Sequence, residues 1–213
     1  MDLSSSNISN NSNNNTSPLS LRAVFLDRDG VINLPIIKNN LPFSPGNLNE
    51  FIFCDGIVET IREIKNRNYL VIVVTNQPDV ARGIKVKDEI EKIHQYIKKH
   101  TLVDEIYCCY HDNKDNCDCR KPKVGLFLQA QQHFSSQRSQ CSQCSQINFN
   151  ESYMVGDRKS DMLVGRKLFL KNIFINYNYH EPAPSITDYD YIIETTNANT
   201  NTNHLKQILN FVI

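Results

Sequence analysis

The chain has 213 residues, 23 basic against 23 acidic side chains for a formal net charge of zero, and seven cysteines. That length suits one domain with tails, and the neutral balance supplies no basic field to draw nucleic acid or an anionic membrane. With no apolar run near the roughly 18 to 20 residues of a membrane-spanning helix and no basic-then-apolar signal pattern, a cytoplasmic monomer acting on a small molecule is expected, its cysteines better suited to metal than to disulfides.

Residues 1–20 are rich in Ser and Asn and poor in apolar side chains, so a disordered tail is expected ahead of a domain over 21–213. Ala23-Val24-Phe25-Leu26 then reads as a buried strand ending in Asp27-Arg28-Asp29-Gly30. Side chains alternate along a strand, which places Asp27 and Asp29 on one side and Arg28 on the other. Two carboxylates in one small volume would force one to take up a proton unless a cation sits between them. The pair therefore points to a divalent metal with oxygen ligands, most simply Mg²⁺. Gly30 lets the backbone leave the strand, delivering both acids to the sheet rim where open α/β sheets bind ligands. Taken alone, an Asp-x-Asp-Gly turn without chemistry would look the same.

From 34 to 53, Pro35, Pro42, Pro45 and Gly46 interrupt any regular pattern, and a loop over the acidic site is expected. Asp55 is placed to cap a helix in which Ile57, Val58, Ile61 and Ile64 recur at helical spacing. The β-branched run over 69–74 reads as a strand buried on both faces. It ends in Thr75-Asn76-Gln77, whose polar side chains can hydrogen-bond a phosphate at the same edge as Asp27. A helix over 87–100 with Ile90, Ile93 and Ile97 inward follows, His94 and His100 serving as fillers, and then a strand over 105–109.

Cys109 and His111, then Cys117 and Cys119, supply the three thiolates and one imidazole of a closed structural Zn²⁺ site, with Cys108 on the opposite face as the spare. A closed site has no position for water, so its expected role is to pin the loop carrying Arg120 and Lys121, a planar fork and a point charge suited to phosphate. Pro122 restricts Lys121 to extended backbone. A helix over 125–134, a low-complexity insertion over 135–147 holding Cys141 and Cys144, and a strand over 152–155 come next. Gly156-Asp157-Arg158-Lys159-Ser160-Asp161 ends that strand. A helix beginning there would set Asp157 and Asp161 one turn apart on one face, Asp157 completing the Mg²⁺ shell and Asp161 supporting it. Strands over 171–176 and 189–193, an Asn/Thr-rich linker over 195–203 and a closing helix through Leu205, Ile208, Leu209 and Val212 complete the pattern.

Asp-x-Asp-Gly at the first strand, Thr75 ending the second, Lys121 downstream and Gly-Asp-x-x-x-Asp after the fourth resemble, in order, the four motifs of the haloacid dehalogenase superfamily. The resemblance implies an α/β, Rossmann-like fold, a central parallel sheet with helices on both faces. One loop and one helix fill the stretch from Asp27 to Thr75, leaving no room for a large cap domain. It implies a phosphatase in which Asp27 attacks phosphorus to form an aspartyl-phosphate and Asp29 acts as general acid and then base. Mg²⁺ would be held by Asp27, Asp157 and the backbone carbonyl of Asp29. Thr75, Asn76, Gln77, Arg120 and Lys121 would hold phosphoryl oxygens, with Asn33, Arg82 and Arg158 as further substrate contacts.

The cysteine block followed by Arg120-Lys121-Pro122 is similar to zinc-containing members that act on heptose 1,7-bisphosphate or on histidinol phosphate. Asp-Arg-Asp-Gly-Val-Ile-Asn and the stretch from Val74 to Gly83 follow the heptose type, whereas the five-residue spacer between His111 and Cys117 follows the histidinol type. Arg82, Lys38, Arg120 and Lys123 are cations the loops could offer, and they favour an anionic sugar bisphosphate. A 3′-phosphatase of nucleic-acid ends shares the chemistry, but zero net charge argues against it. A catalytically silent binding protein would have lost a motif residue, and none is missing.

Overall fold

β1 (Ala23–Leu26) has no polar residue, and all four of its side chains are fully buried, as in a strand covered on both faces. Alternation sends Val24 and Leu26 into one layer of the core and Ala23 and Phe25 into the other. The computed structural model describes residues 20–136, 146–195 and 203–213. In it β2 (Ile36–Lys38) and β3 (Leu41–Phe43) pair only with each other. β4 (Leu70–Asn76), β5 (Glu105–Cys109), β6 (Tyr153–Gly156), β7 (Lys171–Asn176) and β8 (Tyr191–Glu194) join β1 in a six-stranded sheet of order β5-β4-β1-β6-β7-β8. Every pairing in that sheet is parallel.

The helices are α1 (Ile57–Asn66), α2 (Lys87–His100), α3 (Gly125–Ser136), α4 (Lys159–Lys167) and α5 (Ile208–Phe211). Ile57, Ile61 and Ile64 of α1, Ile90, Ile93 and Ile97 of α2, and Ile208 of α5 pack with Val24, Leu26, Val71 and Val73. Leu126, Phe127 and Ala130 of α3 and Met162 and Val164 of α4 pack with Phe25, Ile72 and Met154 on the opposite face. The expected three-layer α/β fold is therefore the observed one. Each fully buried Ile contributes about 1.5–3 kcal/mol, so the spacing of Ile in α1 and α2 is what docks those helices. No described helix is long and apolar enough to cross a membrane.

The departures have local causes. Asp55 does not cap α1; Gly56, at φ 73°, stands at the cap position and supplies no side-chain cap. The expected loop over 34–53 contains the β2–β3 hairpin, turned by Asn39 and Asn40 at φ 52° and 57°. Paired left-handed residues make a type I′ turn, and Asn tolerates that region. Pro42, which argued against a strand, sits in a two-stranded ribbon where few donors are needed. Residues 135 and 136 are the last turn of α3 rather than insertion, while Cys141 and Cys144 lie outside the described residues, as do the tail over 1–19 and most of the linker. α4 begins at Lys159, so Asp157 precedes the helix. A 3₁₀ turn (Asn203–Gln207) supplies the first half of the closing helix.

Candidate active site

Because β1, β4 and β6 run parallel, their carboxyl ends share one edge, and the chain leaves β1 toward β4 on one side and later returns to β6 on the other. The strand order reverses there, which opens a crevice at the edge. Asp27 follows β1, Thr75 and Asn76 end β4, and Asp157 follows β6. Two glycines make the approach possible. Gly30 sits at φ +85°, and a Cβ there would stand 2.2 Å from Asp157 Oδ2; a Cβ on Gly156 would stand 2.5 Å from Asp161.

Lys121 binds the cluster together from within. Its ammonium lies 2.9 Å from Asp27 Oδ1 and 2.6 Å from Asp161 Oδ1, and it donates to the carbonyl of Val74 at 2.7 Å. Its backbone is clasped at both ends by Asn76, whose amide donates to the Lys121 carbonyl and accepts from the Lys121 N–H, each at 3.1 Å. Asp27 Oδ1 also accepts from the Arg28 N–H at 2.7 Å, and Asp161 Oδ2 accepts from the Arg158 N–H at 3.1 Å. Both carboxylate oxygens of Asp157 are buried without a hydrogen-bond partner.

Asp27, Asp157 and Asp161 bring one oxygen each within 4.8 Å of one another. Three carboxylates thus crowd one ammonium, with the Arg158 guanidinium 3.9 Å from Asp157 Oδ1 at the edge of the cluster. Burial pushes the Asp27 carboxyl up to about 6 despite Lys121, and burial raises Asp157 well above the usual carboxylate range. Burial alone would lower Lys121, but Asp161 and Asp27 outweigh it and hold the ammonium above its ordinary value. Asp157 oxygens that lack a hydrogen bond among the described residues, and three carboxylates within reach of one another, suit a divalent cation with oxygen ligands, so the residues fit Mg²⁺.

Asp29 behaves differently. Its carboxylate is turned away from that cluster and gripped by Arg28 Nη2 at 2.9 and 3.2 Å, Asn33 Nδ2 at 3.0 Å and Gln77 Nε2 at 2.8 Å. Burial would raise it, yet Arg28 and these donors outweigh burial and hold it below its ordinary value. Only its backbone carbonyl remains for the expected metal role. Arg28 was expected to point away; instead its fully buried side chain folds back onto Asp29 and reaches His94 Nε2 at 3.3 Å. Asn33 and Gln77, expected on the substrate, are spent on orienting Asp29, and Gln77 also donates to Thr75 Oγ1 at 3.0 Å.

A cavity of about 560 Å³ opens over Asp27 and Asp29, walled by Pro42, Phe43, Arg82, Arg120, Arg158 and Glu181 among others. Arg120 is tied by its Nε to Asn113 Oδ1 at 2.7 Å and forms no ion pair with a carboxylate among the described residues. Arg158 is paired with Glu181 at 2.7 Å, and Arg82 with Asp79 and Asp112. Lys38 and Lys123 do not line this cavity; Lys123 is spent on the carbonyl of Cys117 at 2.6 Å. Glu181 and the Arg28–His94 contact were not foreseen. Residues around Glu181 follow no periodic pattern, and His94 read as a core filler, which its burial supports.

The cysteine loop assembles as its spacing suggested. Sγ of Cys109 lies 3.6 Å from Cys117 and 3.0 Å from Cys119, and His111 Nδ1 lies 3.6 and 3.3 Å from Cys109 and Cys119. Ligands about 2.3 Å from a tetrahedral Zn²⁺ stand about 3.7 Å apart, so these four atoms fit the ion. Burial works against ionisation at Cys117, but backbone N–H groups of Arg120 and Cys119 and the neighbouring thiols bring it down to about 7. Cys108 is not in the cluster.

A family profile described as Polynucleotide kinase 3 phosphatase matches residues 25–202. The D-glycero-beta-D-manno-heptose-1,7-bisphosphate 7-phosphatase of Helicobacter pylori is 34% identical over 157 residues, 71% of this chain and 81% of that protein. The D-glycero-alpha-D-manno-heptose-1,7-bisphosphate 7-phosphatase of Campylobacter jejuni is 36% identical over 149 residues, 68% of this chain and 76% of that protein. Among solved structures, D,D-heptose 1,7-bisphosphate phosphatase from B. bronchiseptica, complexed with magnesium and phosphate, superposes with a TM-score of 0.60 at 19% identity, covering 91% of this chain and all of that one. A haloacid dehalogenase-like hydrolase from Streptococcus pneumoniae gives 0.53 at 14% identity over 90% of this chain and 98% of that one.

Proposed function

We infer the function from a plain premise: the chain belongs to the Polynucleotide kinase 3 phosphatase family of haloacid dehalogenase-like phosphatases. It is a phosphatase that hydrolyses phosphomonoesters, and the substrate we assign is D-glycero-D-manno-heptose 1,7-bisphosphate. The observation that carries the site assignment is Asp27 held against Lys121 beside the unpartnered Asp157 at the mouth of the cavity. Asp27 Oδ1 is the oxygen fixed by Lys121 and Arg28, which leaves Oδ2 to attack phosphorus. The bond from phosphorus to the sugar oxygen breaks as the bond to Asp27 forms; Asp29, ionised in the free protein, takes up the proton that the phosphate monoanion brings in and passes it to the departing oxygen. Asp29 then takes a proton from the water that attacks the aspartyl-phosphate and releases free phosphate. Arg28, Asn33 and Gln77 keep that carboxyl aimed throughout.

Thr75, Asn76, Arg120 and Lys121 are the groups we assign to the phosphoryl oxygens. Mg²⁺ held by Asp27, Asp157 and the Asp29 carbonyl, with Asp161 in support, would supply charge neutralisation for the carboxylate and the phosphate. Zn²⁺ on Cys109, His111, Cys117 and Cys119 would fix the loop that carries Arg120 and Lys121. We take the protein to be a cytoplasmic monomer; five unpaired cysteines and no membrane-spanning helix among the described residues support the cytoplasmic part of that reading.

The relatives above are named for both anomers, so both belong in the test. A kinetic panel of the α and β heptose bisphosphates, histidinol phosphate and a 3′-phosphorylated oligonucleotide, at saturating Mg²⁺, should give one heptose anomer a kcat/KM at least about tenfold above the other classes, or about 1.4 kcal/mol at the transition state. A preference for histidinol phosphate would overturn the sugar assignment. Preference for the oligonucleotide, the substrate in the family description, would do the same and leave the chemistry standing.

A further inference from the structure

The β2–β3 hairpin belongs to no larger sheet, yet Leu41, Pro42, Phe43 and the adjoining Ser44 wall the cavity. A lone two-stranded ribbon is marginal in water, so something else holds this one in place. Its tip is held through Asn40, whose carbonyl accepts from the His180 N–H at 3.1 Å and whose side chain donates to the Asn178 carbonyl at 3.3 Å, and two cations hold its cavity side from opposite directions. Arg158 Nη2 donates to the Pro42 carbonyl at 3.1 Å while its Nη1 grips Glu181. Across the mouth, Lys85 Nζ donates to the Ser44 carbonyl at 2.8 Å, bonds the Ser44 hydroxyl and pairs with Asp79 Oδ2 at 2.9 Å.

From Asp79 the contacts continue. Asp79 Oδ1 meets Arg82 Nη1 at 3.2 Å, and Arg82 Nη2 meets Asp112 Oδ1 at 2.6 Å. Asp112 lies between His111 and Cys117 in the cysteine loop, where its backbone N–H donates to Asp115 Oδ2 at 2.7 Å. Charges thus alternate without a break from that loop to the hairpin. Both ends of the Arg82 guanidinium are already committed to carboxylates, so an anion could reach it only by displacing one. We propose that Asp112, Arg82, Asp79 and Lys85 form a positioning chain that ties the hairpin wall to the cysteine loop and sets the fit of the substrate beyond its reacting phosphate.

Exposed ion pairs each contribute only about 0–1 kcal/mol, and the Arg82 side chain is 38% exposed. The chain therefore governs where the hairpin sits rather than whether the protein folds. Its kinetic consequence rests on the phosphatase reading; its structural consequence does not, and the experiment separates the two. Hydrogen exchange over residues 34–46 is measured by mass spectrometry on the full-length protein purified with its metals, for the wild type, Asp79→Asn, Lys85→Met, Arg82→Lys and the Asp79→Asn/Lys85→Met pair.

Each single variant should speed exchange in that segment by about threefold or more with an unchanged Tm, and the pair should do no more than either single, because both cut one chain. Arg82→Lys keeps the charge but not the fork that bridges two carboxylates, and should act like the others. On the sugar bisphosphate the variants should raise KM about threefold at constant kcat, while p-nitrophenyl phosphate, which lacks the distal part, is hydrolysed as before. Unchanged exchange in Asp79→Asn overturns the proposal whatever the substrate. A lowered KM in Asp79→Asn also overturns it, by showing that Arg82 binds the substrate anion directly once released. Faster exchange in a protein that hydrolyses neither ester sustains the chain and rejects the functional reading instead.

Discussion

The cavity is surrounded by two sets of charges held in opposite ways. Asp27, Lys121, Asp157 and Asp161 are buried and crowd one ammonium with three carboxylates. Arg82, Asp79, Lys85 and Asp112 stand at the rim, partly wet, in alternating pairs. Removing a member of the wet set lets water take its place. Removing the one ammonium of the dry set strands its carboxylates in a medium that solvates charge poorly. Similar ion pairs therefore set geometry at the rim and determine both chemistry and stability within.

The largest test of that contrast is Asp27→Asn. Turnover should fall by at least about 10³ in a steady-state assay with Mg²⁺, because an amide cannot carry the phosphoryl group. Stability should hold or rise: the buried carboxyl is pushed up to about 6, so ionised Asp27 is a cost at neutral pH, and Lys121 keeps Asp161 and the Val74 carbonyl. A lower Tm would show that ionised Asp27 stabilises the fold after all.

Lys121→Met breaks the dry set from its centre. Urea unfolding should show a loss of about 3–5 kcal/mol along with the activity, and adding Asp161→Asn should return part of the stability. A loss as small as at a rim pair would mean that the cluster is hydrated.

Cys117→Ser should remove about one Zn²⁺ per chain and lower kcat/KM by about 10², since misplacing Arg120 and Lys121 by about 1 Å is enough. Metal analysis and kinetics on one preparation check it, and full activity in a zinc-stripped sample resupplied with Mg²⁺ would refute it.

The smallest expected effect is at His94, behind Asp29. Burial and then Arg28 hold its pKa down at about 4, so it is neutral in the folded protein. Between about 4 and 6.5 the unfolded chain binds more protons than the folded one, so His94 lowers stability as pH falls through that window, by at most about 3 kcal/mol. His94→Gln should flatten the fall in unfolding free energy between pH 6.5 and 4.5, and an unchanged slope would place the acid sensitivity in other groups.

What could be read from the chain was what its local pattern decides. The strand before Asp27, the Ile stripes of α1 and α2 and the gathering of Cys109, His111, Cys117 and Cys119 are specified within a few residues, and each appears where expected. Asn33 and Gln77 were misplaced because an amide that suits a phosphate suits a carboxylate equally, and only the fold reveals that Asp29 is the nearer acceptor. Arg28 defeated strand alternation because its long side chain can curl back over its own backbone. The hairpin was hidden by its prolines, although Asn39-Asn40 carried the turn signal. Glu181 left no trace because its partner Arg158 belongs to another element and meets it only across the mouth.

Strand order also bears on how the enzyme comes into being. Val24 pairs with Val71 on one side and with Tyr153 on the other, so the strand that ends at Asp27 is made before both its neighbours and gains the second only when synthesis has passed residue 153. In that interval one edge of an entirely apolar strand is open, the condition under which nascent chains recruit chaperones or stick to one another. Asp27 meanwhile stands without Asp157 and Asp161, so the acidic cluster that our reading assigns to phosphate-ester chemistry is complete only once synthesis has passed residue 161.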